Sequence, residues 1–432
     1  MKTKYAVSLF SVFLFCFGSA LAWADPPSQF PTNATFTTLI PTTRPIEGLT
    51  GDGGHNLYTG GSGSTPCPIW QINLQSPSLE VIGNVQEAVT PPLPNPTHAM
   101  CSFAGIAFDA LGNLYQADLA AGIIYVIKGP NSKKPPDATI FAEGVPGTNG
   151  LAFDREGNLW TGDGTTGQGR VWKITGPGAN CTAATDKPVK NCEEVFRIPP
   201  MRNGTALGGN VKAQTGVTTQ GIGRQNRDFP PGTLTITVPA SMTETVITPA
   251  GGQDLVANGI AFNREGDMFV IDTARGALWK VQFNRRGDLK SEVGCDTTFT
   301  PNTLCLSNVS VAHPILEGGD GIVLDRAGNI WVDANERNAV AVITKGGRVV
   351  EVFRNPLNAN GLRNSADASV GNNHILEFPT SPFITGTVLC TSQSDLDRRD
   401  NSPRSEGEVN GNGKISCMDQ ELTIRGLPLP VR

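Results

Sequence analysis

One pattern of apolar and polar positions recurs along the chain. Four stretches share it: "AGIAFDALGNLY", "NGLAFDREGNLW", "NGIAFNREGDMF" and "DGIVLDRAGNIW". Each alternates apolar and polar residues after a glycine, passes through a polar turn that contains another glycine, and ends in a second apolar run. Alternation with a period of two predicts a strand, and the short polar turn joins two such strands. Each copy is therefore predicted to be a β-hairpin.

Further apolar runs follow every hairpin and predict two more strands. Third strands are expected at "GIIYVI", "GRVWKI", "GALWKV" and "NAVAVI", and fourth strands at "ATIFAE", "EEVFRI" and "VVEVFR". Four short antiparallel strands in each repeat are typical of one blade of a β-propeller. A sandwich or another solenoid is disfavoured, because the hairpin recurs at a blade-like spacing and no helical pattern recurs with it.

The repeats predict six blades. The first glycines of the four clear copies are Gly105, Gly150, Gly259 and Gly321, and "EGLTGDGGHNLYTGG" adds a degenerate copy at Gly48. The stretch "NNHILEFPTSPFITGTVLCTS" reads as a diverged last blade. We therefore expect an all-β, six-bladed β-propeller of four-stranded antiparallel blades over residues 25–392. The early segment "ATFTTLI" is expected to pair with the last blade and close the ring.

Two segments do not fit the repeat. The wide interval between Gly150 and Gly259 leaves a seventh blade open as an alternative, but its Gly/Thr/Gln-rich composition shows no hairpin. We expect a long inter-blade insertion over about 176–254 that covers the mouth of the propeller as a lid. Residues 393–432 are polar, and we expect them to form an exposed C-terminal extension.

The first 24 residues are typical of a secretory signal peptide. Lys2 and Lys4 precede an apolar run that ends in small residues. A secreted or periplasmic protein is expected, with no membrane association after cleavage. The formal charge of −5 becomes −7 without the two lysines, and no basic stripe is present. These features argue against a nucleic-acid partner, and we expect a monomer.

Eight cysteines remain after Cys16 leaves with the signal peptide. An even number in an exported chain indicates disulfides. Pairing nearest neighbours gives 67–101, 181–192, 295–305 and 390–417. The sequence alone does not fix this connectivity. The four histidines are scattered and no CxxC motif occurs, which argues against a zinc site.

The residue before the first glycine differs from repeat to repeat, but it usually carries a side-chain oxygen. In a propeller the first strand of each blade lines the central channel, so this position is expected to face the axis. Four of the five residues there carry a side-chain oxygen, the exception being Ala104: Glu47, Asn149, Asn258 and Asp320. Two carboxylates and two amides match a hard divalent cation, most simply Ca²⁺. The alternatives without a metal are that both asparagines are turn residues and that Asp320 is a solvated acid in a loop.

These residues resemble a known family, the senescence-marker-protein, gluconolactonase and luciferin-regenerating-enzyme-like proteins. The resemblance rests on "IEG", "NGLAFDREGNLWTGD", "NGIAFNREGDMFVIDT" and "DGIVLDRAGNIWVDA" and covers roughly residues 45–392. It implies a six-bladed propeller with one divalent metal on the axis, held by Glu47, Asn149, Asn258 and Asp320. It also implies a metal-dependent hydrolase that acts on a small-molecule lactone or related ester.

The chemistry of these residues suits such a reaction. A bound cation polarises a carbonyl, and Asp320 is the expected catalytic base that activates water. No G-x-S-x-G sequence is present to supply a serine nucleophile. Two other classes remain open: a non-catalytic secreted binding module with structural calcium, and an organophosphate-hydrolase or strictosidine-synthase-like propeller enzyme.

Overall fold

The computed structural model describes nine stretches of the chain: 30–31, 34–86, 100–164, 166–183, 188–199, 257–297, 299–355, 375–394 and 412–430. The predicted signal peptide and residues 200–254 of the predicted insertion lie outside these stretches. Within them, no helix has the length and apolarity that crossing a membrane requires. The helices of the described stretches are three short 3-10 turns: Leu306–Asn308, Pro314–Leu316 and Asn335–Arg337.

The strands form six antiparallel sheets arranged as blades around a central channel, as the repeat predicts. Strand β1 (Phe36–Pro41) comes first in the chain and belongs to the last blade. Blade 1 contains β2 (Thr50–Gly51), β3 (Asn56–Gly60), β5 (Cys67–Asn73) and β6 (Glu80–Val85). Blade 2 contains β8 (Phe103–Phe108), β9 (Leu114–Asp118), β10 (Ile123–Ile127) and β11 (Thr139–Glu143). A small ribbon joins these two blades and consists of β4 (Gly63–Ser64) and β7 (Met100–Cys101).

The next two blades follow the same order. Blade 3 contains β12 (Thr148–Phe153), β13 (Leu159–Asp163), β14 (Arg170–Ile174) and β16 (Cys192–Arg197). The two-residue strand β15 (Ala179–Asn180) adds a parallel outer strand to blade 2. Blade 4 contains β17 (Ala257–Phe262), β18 (Met268–Asp272), β19 (Ala277–Val281) and β20 (Val309–Ala312). Both β15 and β16 lie inside the range 176–254 that the sequence assigned to the insertion.

The last two blades complete the ring. Blade 5 contains β21 (Gly319–Leu324), β22 (Ile330–Ala334), β23 (Ala339–Ile343) and β24 (Val349–Arg354). Blade 6 contains β25 (Pro379–Thr385), β26 (Val388–Gln393) and β27 (Lys414–Met418), with β1 as its outer strand.

Blade 6 joins the two ends of the described chain. Strand β1 pairs antiparallel with β27, from Phe36 opposite Met418 to Pro41 opposite Lys414. The prediction that "ATFTTLI" closes the ring is confirmed. The expected C-terminal extension is corrected, because β27 is a largely buried strand and Cys417 is bonded to Cys390 of the neighbouring strand. The polar residues that precede β27 in the sequence concealed this strand.

The C-terminal residues also reach the far end of the channel. The amide of Leu427 donates to the carbonyl of Leu324 in blade 5 at 2.9 Å. Beyond it, Leu429 and Pro430 line a cavity of about 80 Å³ together with apolar residues from the inner strands of all six blades. One half of the channel is therefore apolar and bordered by the end of the described chain.

All four nearest-neighbour disulfides are present. Cys67–Cys101 joins blade 1 to the strand before blade 2, and Cys390–Cys417 joins adjacent strands of blade 6. Cys181–Cys192 and Cys295–Cys305 close short local loops. These bonds hold the connections between strands more than they hold the inner strands themselves.

The repeated hairpin turn is held by one carboxylate. In blade 3, Asp154 accepts a hydrogen bond from the amide of Asn158, and its Oδ2 accepts from Trp160 Nε1 at 2.8 Å. The same contact recurs with a tyrosine or tryptophan in three other blades: Asp52–Tyr58, Asp109–Tyr115 and Asp325–Trp331. In blade 4 the acid and the amide exchange places, as Asn263 and Asp267, and the aromatic residue is Phe269, which needs no acceptor. The turn therefore explains both the repeat and its one departure.

The first glycine of each repeat permits neighbouring blades to approach closely at the axis. A Cβ on Gly48 would lie 2.3 Å from the carbonyl oxygen of Ala104, and one on Gly105 would lie 2.3 Å from that of Asn149. The series continues around the ring with Gly150 against Asn258, Gly259 against Asp320, and Gly321 against Thr380, at 2.5–2.6 Å. Real side chains do not tolerate such contacts, so only glycine fits. Blades 3 and 4 are thus direct neighbours, and the ring has six blades.

We predict that Gly259→Ala destabilises the protein through this contact. The atom in the way is a backbone carbonyl, which cannot rotate aside, so the cost should reach the upper part of the about 1–3 kcal/mol typical of overpacking. Gly346→Ala is the control, because its Cβ would meet nothing closer than Thr344 Oγ1 at 3.8 Å, and we expect a change within about 0.5 kcal/mol. Urea unfolding of both variants checks this, and equal stabilities would contradict the packing argument.

Candidate metal centre

In blades 2 to 5 the residue before the first glycine lies at a break in the pairing of the inner strand. The register between β12 and β13 shifts between Thr148 and Leu151, which brackets Asn149. Equivalent shifts bracket Ala104, Asn258 and Asp320 in their own blades. A β-bulge re-aims the side chains it contains and is common beside functional sites. We call the positions before the first glycine, with Thr380 of blade 6, the axial residues.

The ring contacts place all six axial residues at one end of the channel, which we call the axial mouth. Asn149, Asn258 and Asp320 are buried there, with 7, 3 and 4% of their surface exposed, and Glu47 is half-buried. The blade order around the ring is Glu47, Ala104, Asn149, Asn258, Asp320 and Thr380. The interpretation of Asp320 as a solvated loop acid is therefore wrong.

The charges at this mouth interact. Burial raises the pKa of Asp320 well above its usual range, and the neighbouring Glu47 carboxylate raises it further. Asp333 acts in the same direction, whereas hydrogen bonding from the amides of Asn335 and Asn258 opposes the shift. Carboxylates crowded in a buried site repel one another unless a cation or protons neutralise them. The site therefore favours positive charge at its centre.

The two predicted asparagine ligands have different surroundings. The amide Nδ2 of Asn258 donates to Thr273 Oγ1 at 3.1 Å. The side chain of Asn149 makes no hydrogen bond to any other residue in the stretches that the structure describes, and Gly164 packs directly against it. Buried amides are normally hydrogen-bonded, so an amide that faces a channel without a protein partner suits a ligand.

The two remaining axial residues supply no oxygen ligand but help to close the ring. Ala104 is fully buried. In blade 6 the hydroxyl of Thr380 donates to the backbone carbonyl of Glu47 at 2.7 Å, and the hydroxyl of Ser392 donates to the same oxygen. Two hydroxyls replace the glycine contact at the one step where the ring joins its ends, and they hold the strand that carries Glu47.

Three further residues contribute to the site and were missed by the sequence analysis. Asn335 Nδ2 donates to Asp320 Oδ2 at 2.7 Å, and Thr273 holds Asn258. Asp333 is fully buried; its Oδ2 accepts from Thr391, and its Oδ1 has no hydrogen-bond partner. Burial raises the pKa of Asp333 well above its usual range. All three lie where the second strand of a blade ends, so aligning the ends of the second strands would have found them.

Other aspartates near this mouth stabilise turns through ion pairs and backbone hydrogen bonds. Asp163 pairs with Arg170 at 3.2 Å, and Asp272 pairs with the buried Arg275 at 2.7 Å and accepts from two backbone amides. Asp118 likewise accepts from backbone amides of its own blade. These carboxylates are committed to local structure and are poor candidates for ligands.

The donor set at the axis fits a hard cation. It offers carboxylate and amide oxygens only, which are the ligands that Ca²⁺ takes in six- to eightfold coordination at about 2.3–2.6 Å. In the described part of the chain, the sole group of three acidic, His or Cys ligand atoms within 4.8 Å of one another is Glu292, Cys295 and Cys305. Those two cysteines form a disulfide, so that group is not a thiolate site. An axial site would accordingly depend on its asparagines as well as its two acids.

The fold and this mouth define a class: six-bladed propellers with converging oxygen side chains on the axis. Comparison with known families agrees, because the SMP-30/gluconolactonase/LRE-like region family model matches residues 217–361. This match confirms the resemblance seen in the sequence. It includes Asn258 and Asp320, whereas Glu47 and Asn149 precede it. No curated protein matches the chain.

Several solved structures are similar to this chain at low identity. Regucalcin from Agrobacterium tumefaciens, a calcium-binding protein, is 14% identical over 92% of this chain and 96% of its own, with a TM-score of 0.47. A gluconolactonase from Xanthomonas campestris is 12% identical over 90% of both chains, also at 0.47. Virginiamycin B lyase from Staphylococcus aureus is 12% identical over 93% of this chain and 89% of its own, at 0.41. Likeness at this level says nothing about the reaction.

The raised pKa of Asp320 predicts how the stability of the cation-free protein depends on pH. Above the pKa of an unfolded aspartate, about 3.9, the unfolded chain releases its proton while the folded chain retains it. The folded state then binds more protons, so the free energy of unfolding falls as pH rises toward the raised pKa. Urea unfolding in chelator from about pH 4 upward should show this fall, and Asp320→Asn should reduce its slope. Identical slopes for the two proteins would contradict the assigned burial of charge.

Proposed function

We propose that this protein is a metal-dependent hydrolase that acts on a lactone or related ester. The observation that carries the proposal is the convergence of Glu47, Asn149, Asn258 and Asp320 at one mouth of the channel, with the pKa of Asp320 raised by burial and by Glu47. These four residues are the proposed ligands of one divalent cation, most simply Ca²⁺. The family resemblance supports the substrate class.

When bound, the cation would polarise the carbonyl of the ester and stabilise the negative charge that develops on its oxygen. The chain's own residues would do the rest. Glu47 contributes charge on the opposite side of the site from the asparagines, and its backbone is fixed by Thr380 and Ser392. Asn149 and Asn258 present neutral amide groups, which leave the net ligand charge at −2 and so match one divalent ion.

Asp320 is the proposed catalytic residue. Its carboxylate takes a proton from the attacking water as the water oxygen bonds to the carbonyl carbon. When the carbon–oxygen bond of the lactone breaks, the same proton passes to the departing alkoxide, which leaves a hydroxy acid. Burial and Glu47 raise the pKa of Asp320, which strengthens it as a base, while a bound cation lowers the pKa and keeps the group ionised.

We also propose that the protein works outside the cytoplasm, in the periplasm or beyond the cell. Four disulfides are consistent with an oxidising compartment, and the first residues of the sequence read as a signal peptide. The substrate would then be a small molecule met outside the cytoplasm.

The test combines calcium binding with turnover in the same samples. The oxidised protein is stripped with chelator, titrated with CaCl₂ by calorimetry, and assayed on a panel of small lactones and aryl esters. We expect one bound ion per chain and hydrolysis that calcium restores. Asp320→Asn should reduce kcat by about 10²–10⁴-fold, the usual contribution of a general base, and weaken binding.

Asp288→Asn provides the matched control. Asp288 is an exposed aspartate that contacts Asn284 in a turn and lies away from the axial residues, so binding and turnover should equal those of the wild type. Calcium binding without turnover of any lactone or ester would favour the non-catalytic binding module. Turnover of an organophosphate alone would favour the other propeller enzymes. Absence of binding would refute the metal site.

A further inference from the structure

An asparagine ligates a cation through its oxygen, so the orientation of each amide decides whether the axial site can work. An amide with its NH₂ group toward the axis would repel a cation and offer it no ligand. The hydrogen-bond partners of an amide fix this orientation, because a partner that can only accept selects the nitrogen. The axial amide of blade 4, Asn258, donates to such an acceptor. The axial carboxylate of blade 5, Asp320, is held instead by a donor.

Thr273 fixes the orientation of Asn258. The Thr273 hydroxyl donates its only proton to the carbonyl of Gly319 at 2.7 Å, since a carbonyl can only accept. Thr273 Oγ1 is therefore an acceptor toward Asn258, at 3.1 Å, and the group of Asn258 that faces it must be the NH₂. The oxygen Oδ1 is then turned away from Thr273. No described residue donates a hydrogen bond to this oxygen.

Thr273 also joins two ligand strands. Thr273 follows the second strand of blade 4, whereas Gly319 begins the inner strand of blade 5, next to Asp320. Thr273, Asn258 and Gly319 are all buried. One hydroxyl therefore sets the rotation of the blade 4 ligand and ties it to the strand that carries the blade 5 ligand.

Asn335 acts on Asp320 in the equivalent place in blade 5. Its NH₂ donates to Asp320 Oδ2 at 2.7 Å, and its backbone amide donates to the carbonyl of Gly318 at 2.8 Å. Asn335 is 1% exposed. This donor fixes the position of one carboxylate oxygen of Asp320 and leaves the other oxygen available.

Thr273 and Asn335 occupy the same position in their blades, directly after the second strand. The residue at this position differs between blades, and so does the axial residue. Where the axial residue is Asn258 or Asp320, the residue after the second strand is polar. Opposite Asn149 it is Gly164, where a Cβ would lie 2.6 Å from Asn149 Nδ2. In blade 2, where the axial residue is Ala104, it is Leu119. In blade 1, where the axial residue is Glu47, it is Gly61, and in blade 6 it is Ser394. The residues at this position that hydrogen-bond the side chain of an axial residue lie in blades 4 and 5.

We propose that Thr273 and Asn335 are positioning residues that fix Asn258 and Asp320 with their remaining oxygens presented to an axial divalent cation. Neither residue is itself a ligand. The proposal rests on the proposed function, because it requires that the axial residues bind a cation.

The test is calorimetric titration of the chelator-stripped protein and its variants with CaCl₂. Thr273→Val keeps the shape and removes both hydrogen bonds, so Asn258 is free to turn. We expect the dissociation constant to rise by about 10–100-fold, the usual cost of losing a group that orients a ligand. Thr273→Ser retains the hydroxyl and should restore affinity to near that of the wild type. A purely structural role for the methyl group would give the opposite order.

Asn335→Leu is the second variant and should weaken binding over the same range. Thr385→Val is the matched control: Thr385 is another buried threonine whose hydroxyl donates to a backbone carbonyl, that of Gly54, at the other end of its strand from Thr380. It should lose stability as Thr273→Val does, without any change in calcium affinity. Thermal melting in chelator shows that each variant is folded.

The outcomes separate the two proposals. A wild type that binds calcium, with Thr273→Val and Asn335→Leu binding equally well, overturns the positioning roles and leaves the metal site standing. An equal loss of affinity in Thr385→Val also overturns them, because it would mark a general effect of stability. A wild type that binds no calcium overturns the metal site and the positioning roles together.

Discussion

The contact on which the rest of the structure depends is the close approach of neighbouring inner strands at the axis. Each first glycine lies against the carbonyl of the axial residue in the next blade, at a distance that no Cβ could occupy. This contact repeats from Gly48 to Gly321 and ends where the Thr380 and Ser392 hydroxyls meet Glu47. Because every step has the same geometry, residues far apart in sequence arrive at the same level of the channel. The convergence of the four proposed metal ligands is therefore a consequence of how the blades pack.

The two ends of the channel therefore differ in polarity: one end is charged and polar, and the other is apolar. At the axial mouth the inner strands carry acids and amides, and burial makes their charges costly. Further along the same strands apolar residues alternate inward, and Leu429 and Pro430 border the cavity there. An apolar far end excludes water from one side and keeps the dielectric around the carboxylates low, which strengthens their interaction with a cation. In blades 2 to 6 a register shift in the inner strand lies where the polar residues give way to the apolar ones.

Much of this could be predicted from the sequence, for identifiable reasons. The hairpins and the positions of the four predicted ligands follow from a repeat whose glycine is required sterically. The closure by "ATFTTLI" follows from the last blade, which needs a further strand. The pairs Cys181–Cys192 and Cys295–Cys305 close short local loops, and the other two pairs join strands that the fold places side by side. The strand β27 was missed because polar residues surround it. Thr273 and Asn335 were missed because the residue that follows the second strand differs from blade to blade, so only an alignment of the strand ends would have pointed to it. Their roles depend on which atom donates, which only coordinates reveal.

The most direct measurement of the central claim is anomalous diffraction from crystals of the protein soaked in Ca²⁺ or a lanthanide that replaces it. We expect one strong peak on the propeller axis, about 2.3–2.6 Å from oxygens of Glu47, Asn149, Asn258 and Asp320. In that map the Oδ1 atom of Asn258 should contact the ion, whereas the hydroxyl of Thr273 should not. A peak elsewhere, or an axis without one at millimolar calcium, would contradict the assignment of these four residues as a metal centre.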